Sequence, residues 1–414
     1  MDVAQIETVT SATIAADGQH VAYTVSEPAD PTEDNAPAST HLYVMSTETG
    51  DVTTSYTESG VSSVAFRPER GTVTFLTSGE DDDGRALYEL TVDGDAPTRL
   101  LSHATSIAAY TWAPDGERLA FSANEELDTP EADLPYQPDL FEENQPHRRA
   151  FLTDLSADAP ERRQLNVDGT VYLMRWSPDG SQLAITEAPT PGVDDSYMAQ
   201  SVLVLDANTR NVVANIANAG KISQIEWSPD GQQLALLAGD SVHDPIDGRI
   251  MTVRVDDGAI PENIFPAFEG KFEQIRWTDE DTIHFLASES TARSFGTIAP
   301  EGSNFTRVLT ARDAELTSFD PSEAGHITFT ASTPEHPREV YLLRDGTTSL
   351  ERATTHNEWL TDRAMGRQEV VRYTTRDGMF DIEGLLIYPV DYQEDTAVPR
   401  SEERRVGKEC RSRW

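Results

Sequence analysis

The chain has 414 residues with 32 Lys+Arg against 72 Asp+Glu, a formal charge of −40. A surface of that sign repels nucleic-acid phosphates and anionic membranes, both of which select basic faces, so neither is an expected partner. With 37% hydrophobic residues, including 14 Phe, 12 Tyr and 6 Trp, the chain carries enough apolar material for a large core.

No apolar run approaches the roughly 18 residues of a membrane-spanning helix, and the N-terminal stretch MDVAQIETVT lacks a basic segment followed by an apolar one. A soluble, cytoplasmic protein is expected. Cys410 is the single cysteine, which rules out an internal disulfide and any zinc or iron-sulfur site built on clustered thiolates; no metal or cofactor is expected. Lysine occurs three times, at Lys221, Lys271 and Lys408, and arginine supplies the other 29 cations. This composition resembles that of proteins from extreme halophiles, in which molar salt screens the mutual repulsion of many carboxylates.

In chain order, one short pattern recurs seven times. It begins as Ile14-Ala-Ala-Asp-Gly18 and Phe66-Arg-Pro-Glu69, and is sharpest as Trp112-Ala-Pro-Asp-Gly116, Trp176-Ser-Pro-Asp-Gly180 and Trp227-Ser-Pro-Asp-Gly231. It continues as Trp277-Thr-Asp-Glu280 and ends as Phe319-Asp-Pro-Ser322. The anchors are 52, 46, 64, 51, 50 and 42 residues apart, a period that suits a four-stranded repeat. In each copy an aromatic or apolar residue ends a strand. Pro presets φ for the turn, Asp bonds the turn backbone, and Gly takes the positive φ.

The strand after each turn, such as Leu183 to Ile185 or Leu234 to Leu237, is short and apolar and reads as an inner strand covered on both faces. A second, alternating hairpin follows in every copy, as in HLYVMSTETGDVTTSYT or SVLVLDANTRNVVANI. A single four-stranded sheet cannot bury both of its faces. Seven of them packed around an axis can, so the pattern predicts an all-β, seven-bladed propeller over residues 1–366 with tryptophans in the seams between blades.

The 64-residue gap implies an insertion at 123–149, which holds four prolines and little periodicity. Its adjacent carboxylates Glu142 and Glu143 are candidates for gripping the protonated amine of a substrate, although paired acids arise freely in so acidic a chain. Arg148 and Arg149, at the start of the next strand, read as salt-bridging residues.

After the seventh repeat the texture changes. Residues 369–373 and 381–388 alternate as two strands around the turn Thr375-Arg-Asp-Gly378, marking a second domain over 367–399. Here the chain resembles the prolyl oligopeptidase family of serine peptidases, in particular its acylaminoacyl peptidase and dipeptidyl peptidase-like branches. The resemblance rests on the Trp-Ser-Pro-Asp-Gly blades followed by VVRYTTRDGMFDIEGLLIYP at residues 370–389.

The resemblance implies a propeller that gates access of short peptides to an α/β-hydrolase domain of which 367–399 are the first strands. It also implies a His-Gly-Gly oxyanion loop, a Gly-x-Ser-x-Gly elbow, an Asp and a terminal His. None of these motifs occurs in the chain, so it is expected to be an inactive fragment without catalytic residues. Residues 400–414 carry six Lys/Arg against three Glu and read as a tail foreign to the natural protein. Two alternatives remain at this point. One is a non-enzymatic propeller scaffold; the other is a propeller enzyme, such as a lyase, acting at its channel, which would need convergent polar residues on the inner strands, and those strands read as apolar and small. Oligomeric state is not fixed by the sequence.

Overall fold

Turn chemistry sets the geometry of the fold. In the third, fourth and fifth repeats the glycine N–H closes on the carbonyl three residues earlier, from Gly116 to Ala113 (3.0 Å), Gly180 to Ser177 (2.9 Å) and Gly231 to Ser228 (2.9 Å). The Asp beside each glycine accepts from the backbone two residues on, as in Asp179 Oδ1 with Ser181 N (2.9 Å) and Asp230 Oδ1 with Gln232 N (3.0 Å). Gly116 has a further reason to lack a side chain. Its φ is +66°, and a Cβ there would lie 2.2 Å from the Pro68 carbonyl in the preceding repeat's turn.

The computed structural model describes residues 2–401 except 31, 33–35, 59, 80–81, 95, 128–142, 158, 312–313, 395–397 and 400. Among the described residues there are seven four-stranded antiparallel sheets, each built from four consecutive strands. Blade 1 spans residues 8–56, blade 2 62–101, blade 3 107–164, blade 4 170–217, blade 5 222–263, blade 6 271–311 and blade 7 315–352. Helix is almost absent among the described residues: one six-residue α-helix, Val193–Met198, and two 3-10 turns, Asp2–Gln5 and Glu358–Asp362. None of the described helices is long and apolar enough to cross a membrane.

The core consists of seven apolar clusters, one at each seam between neighbouring blades. Side-chain alternation explains this arrangement. In the second strand of blade 5, Gln233–Ala238, Leu234 and Leu236 pack toward blade 4, whereas Ala235 and Leu237 pack toward blade 6. Each anchor aromatic occupies the seam with the preceding blade: Trp112 against blade 2, Trp176 against blade 3, Trp227 against blade 4, Trp277 against blade 5 and Phe319 against blade 6.

The ring closes between blades 7 and 1 without exchanging a strand. Val340 and Leu342 pack with Val9, Ile14 and Val21. Asp320 Oδ2 accepts from Thr13 Oγ1 (2.6 Å) and from Ile14 N (3.0 Å). Asn357 accepts from Glu7 N (3.0 Å) and donates to Glu7 O (2.8 Å). The buried Glu339 accepts from Thr354 Oγ1 (2.6 Å), His356 N (2.8 Å) and the His356 ring (2.8 Å). Burial alone would raise the Glu339 carboxyl, but hydrogen bonds from His356 and Thr354 hold it below the ordinary carboxylate range.

Beyond blade 7, Gln368–Thr374 and Asp381–Ile387 pair as a separate antiparallel hairpin, closed by a turn in which Gly378 N bonds Thr375 O at 2.9 Å. No helix follows it among the described residues. The basic tail from residue 402 onward, with Cys410, lies outside the described residues.

Candidate functional site

A propeller has two candidate surfaces, its channel and its loop faces. The first strands of neighbouring blades lie against one another around the ring, so the strand that ends in the anchor aromatic is the innermost. The small apolar strands at 183–185 and 234–237, expected as inner strands covered on both faces, lie one place out from it. They are second in their sheets and apolar because both faces lie in seams.

The innermost strands carry polar side chains on the channel side. Arg276 Nη1 donates to Glu226 Oε1 at 2.9 Å, and its Nε lies 3.8 Å from Asp320 Oδ1. Arg175 Nε stands 3.7 Å from the same Glu226 oxygen. An ionic ladder therefore runs across blades 4, 5, 6 and 7. Beside it, Gln224 Nε2 donates to Ile275 O (2.7 Å) and Gln224 Oε1 accepts from Ile275 N (3.0 Å). Gln274 repeats this with Phe319, donating to its carbonyl (2.6 Å) and accepting from its N–H (3.0 Å). Each side-chain amide acts as a peptide group, satisfying a backbone pair of the next blade. None of these residues is legible from the turn pattern. A signal does exist: the residue before the anchor Trp is charged in blades 4, 5 and 6, as Arg175, Glu226 and Arg276.

The two ends of the ring differ. The Pro-Asp-Gly turns form one face. The connections between second and third strands form the other, which includes both described ends of the insertion in blade 3, 125–127 and 143–147, and the helix Val193–Met198 in blade 4. The hairpin lies on this second face, over blades 6 and 7, where those connections shrink to the two-residue turns Ser290-Thr291 and Pro334-Glu335. Glu383 is the clamp: it accepts from Thr291 Oγ1 (3.1 Å) and from Ser290, and pairs with Arg372. These bonds, Ser290 first and Arg372 second, hold its carboxyl down to about 2.

A cavity of about 250 Å³ separates hairpin from blade 6, lined by Glu269, Glu289, Arg307 and Arg372 among others. Two larger clefts, about 680 and 750 Å³, share Glu335, His336 and Arg352 at the edge of blade 7. His336 is held at both ring nitrogens, Nδ1 by Pro337 O (2.7 Å) and Nε2 by Tyr341 Oη (3.0 Å).

The insertion is pinned at its base by Arg149, whose Nε donates to Glu125 Oε2 (3.0 Å) and whose Nη1 donates to Asp168 O (2.7 Å). Among the described residues Arg148 forms no equivalent pair; its guanidinium lies over the Tyr172 ring at 5.8 Å. Glu143 is exposed, and Glu142 lies outside the described residues. Among the described residues no group of three or more His, Cys, Asp or Glu is placed to hold a metal ion.

No family model matches the chain. Solved structures do. An acylaminoacyl peptidase in complex with Z-Gly-Gly-Phe-chloromethyl ketone superposes with a TM-score of 0.69 at 12% identity, over 96% of this chain and 60% of that one. A puromycin-hydrolyzing peptidase of Mycobacterium tuberculosis gives 0.67 at 16% identity, over 97% and 61%. The propeller domain of the Trilobed protease from Pyrococcus furiosus, described as having an open velcro topology, gives 0.60 at 9% identity, over 85% and 99%. The fold is that of these propellers. The chain spans about 60% of the length of the first two peptidases and matches the third, an isolated propeller domain, almost end to end.

Proposed function

We propose that the chain is the propeller portion of a serine peptidase of the prolyl oligopeptidase type, and that its hairpin opens an α/β-hydrolase domain carried by the longer protein. The observation that carries this reading is the hairpin itself. It follows blade 7 after the connection 353–367, sits on the loop face, and exposes Phe380 (63%), Leu385 (56%) and Ile387 (60%), apolar groups that a free-standing propeller has no use for. The 60% coverage of two peptidases supports the same reading.

In the longer protein the propeller covers the catalytic face and admits only short peptides, which the following domain cleaves with a Ser-His-Asp set. The chain alone supplies no nucleophile and hydrolyses nothing. Its acidic, Arg-rich composition belongs to a halophilic, cytoplasmic protein, and residues 400–414 are not native sequence. Glu142 and Glu143 anchor the substrate amine.

A peptide 4-nitroanilide assay tests this. The present chain should show no turnover above buffer, and the protein translated from the uninterrupted genomic frame should hydrolyse the substrate. Replacing both glutamates by Gln in that longer protein should raise KM for substrates with a free amine. Unchanged kinetics would remove them as anchors, and absence of hydrolysis would remove the peptidase reading.

A further inference from the structure

The hairpin turns apolar groups toward the propeller and leaves them uncovered. Val370 pairs with Leu385 and Arg372 with Glu383, so these four side chains share one face of the two-stranded sheet. Glu383 accepts from Thr291 of blade 6, which sets that face toward the blades. Leu385 nevertheless stays 56% exposed and Val370 40%, because a cleft of about 750 Å³ lies between them and Pro334 and Tyr341 of blade 7.

The blade wall of this cleft is fixed. His336 is held at both ring nitrogens, and its ring stacks on Tyr341 with centroids 6.2 Å apart. Two opposite charges stand beside it. Arg352 lies directly across the sheet from Tyr341, and Glu335 occupies the turn that leads into His336. Burial raises the Tyr341 phenol, and the nearby Arg352 charge works against that rise. Arg352 and Glu335 line this cleft and also the neighbouring one of about 680 Å³, so they mark the junction of the two. Among the described residues neither of these side chains has a hydrogen bond or an ion pair, and they do not pair with each other. Glu369, another carboxylate in the cleft, is taken up by Arg367 Nη1 (2.6 Å) and Tyr388 Oη (2.7 Å).

We propose that the cleft binds a zwitterion with an apolar side chain, a free amino acid or a dipeptide, with its carboxylate on Arg352, its ammonium on Glu335 and its side chain against Leu385, Val370 and Tyr341. The guanidinium fork matches a carboxylate's two oxygens, and the Glu335 carboxylate accepts from an ammonium. Each charge alone is exposed and screened; a ligand that carries both signs engages the two together. Its apolar side chain takes the surface of Leu385 and Val370 out of water, which the gap to blade 7 otherwise prevents. The cleft also falls within the range of about 300–1,000 Å³ usual for small-molecule sites. That peptide hydrolysis releases such zwitterions, so that product would act on the hairpin, rests on the function proposed above; the site itself does not.

The test uses the present chain and reads binding rather than hydrolysis, so it stands or falls separately from the peptidase reading. Leucine and Leu-Leu are titrated by calorimetry at one fixed potassium chloride concentration, which distinguishes charges on one α-carbon from charges across a peptide bond. The zwitterion that binds more tightly is then compared with its amide and its N-acetyl derivative, each of which should bind about tenfold more weakly or worse, a loss of about one charge-assisted contact. Glycine, or Gly-Gly for a dipeptide, should be weakened similarly. Arg352→Gln should abolish the preference over the amide alone, and Glu335→Gln the preference over the N-acetyl derivative alone. Leu385→Ser should reduce the preference over the glycine counterpart severalfold. Denaturant midpoints confirm that each variant is folded. Binding of neither zwitterion, equal binding of the amide and N-acetyl derivatives, or unchanged discrimination in folded Arg352→Gln and Glu335→Gln would each overturn the proposal.

Discussion

The indole Nε1 of Trp227 donates to the backbone carbonyl of Arg175, 2.9 Å away on the innermost strand of the preceding blade. Trp176 does the same to Thr111 O at 3.2 Å, and Trp112 Nε1 reaches Thr74 Oγ1 at 3.0 Å. In blades 3, 4 and 5 the anchor tryptophan therefore combines burial in the seam with a polar bond that ties one blade to the one before it, whereas the buried Nε1 of Trp277 in blade 6 has no partner among the described residues. Trp227→Phe, which keeps the ring and deletes the donor, should lower stability by about 1–3 kcal/mol, the typical cost of leaving a buried acceptor unpaired. Trp227→Ala should cost about 3–5 kcal/mol because it also opens a cavity. Denaturant midpoints of the two variants measure both, and equal losses would show that the donor contributes nothing.

The number of blades and the turn type are legible in the sequence because they depend on residues within five positions of one another, such as Ser177, Asp179 and Gly180. The identity of the innermost strand is not. It follows from contacts such as Gln224 with Ile275 or Arg276 with Glu226, which join residues about fifty positions apart across blades and leave only a one-residue trace beside each tryptophan. Burial on both faces gives the second strand the same apolar texture whichever side of it faces the axis, so hydropathy cannot order the strands. The Glu142-Glu143 pair falls in the 125–147 connection, which has no counterpart in the other repeats from which a role could be read.

The turn aspartates predict how acid acts on the fold. Hydrogen bonds from Ser177 and Ser181 hold the Asp179 carboxyl below its ordinary value, and Ser228 and Gln232 do the same for Asp230. A carboxyl lowered in the folded state contributes stability that is complete above its unfolded pKa, near 4, and is lost as pH falls through the lower folded value. The double variant Asp179→Asn, Asp230→Asn should be less stable at pH 7 and lose less between about pH 5 and pH 3. Parallel stability curves for variant and parent would contradict this.

Glu383 predicts how firmly the hairpin is held. Its carboxyl, lowered to about 2, supports docking on blade 6 fully above its ordinary value near 4.5 and releases it only in strong acid. Glu383→Gln removes the charge opposite Arg372 and weakens acceptance from Ser290 and Thr291. Limited proteolysis at pH 7 should then cut within residues 353–390 several times faster than in the parent while the blades stay intact. Equal cleavage rates would mean that Val370 and the rest of the contact hold the hairpin without this clamp.

Charge predicts a salt requirement. With 72 acids against 32 bases, repulsion among surface carboxylates opposes folding in dilute buffer and fades as the Debye length falls to about 3 Å near 1 M salt. The melting temperature should rise by ten degrees or more between low salt and multimolar potassium chloride. An unchanged value would remove the halophilic interpretation.

The most direct measurement of the central claim is covalent labelling. The gene is read in genomic DNA across codon 399, the protein of the uninterrupted frame is expressed, and it is treated with a fluorophosphonate that reacts only with an activated serine. The account predicts stoichiometric labelling of one serine within a Gly-x-Ser-x-Gly sequence downstream of the hairpin, with none on residues 1–399. A frame that ends without such a serine, or a folded full-length protein that takes up no label, would contradict it.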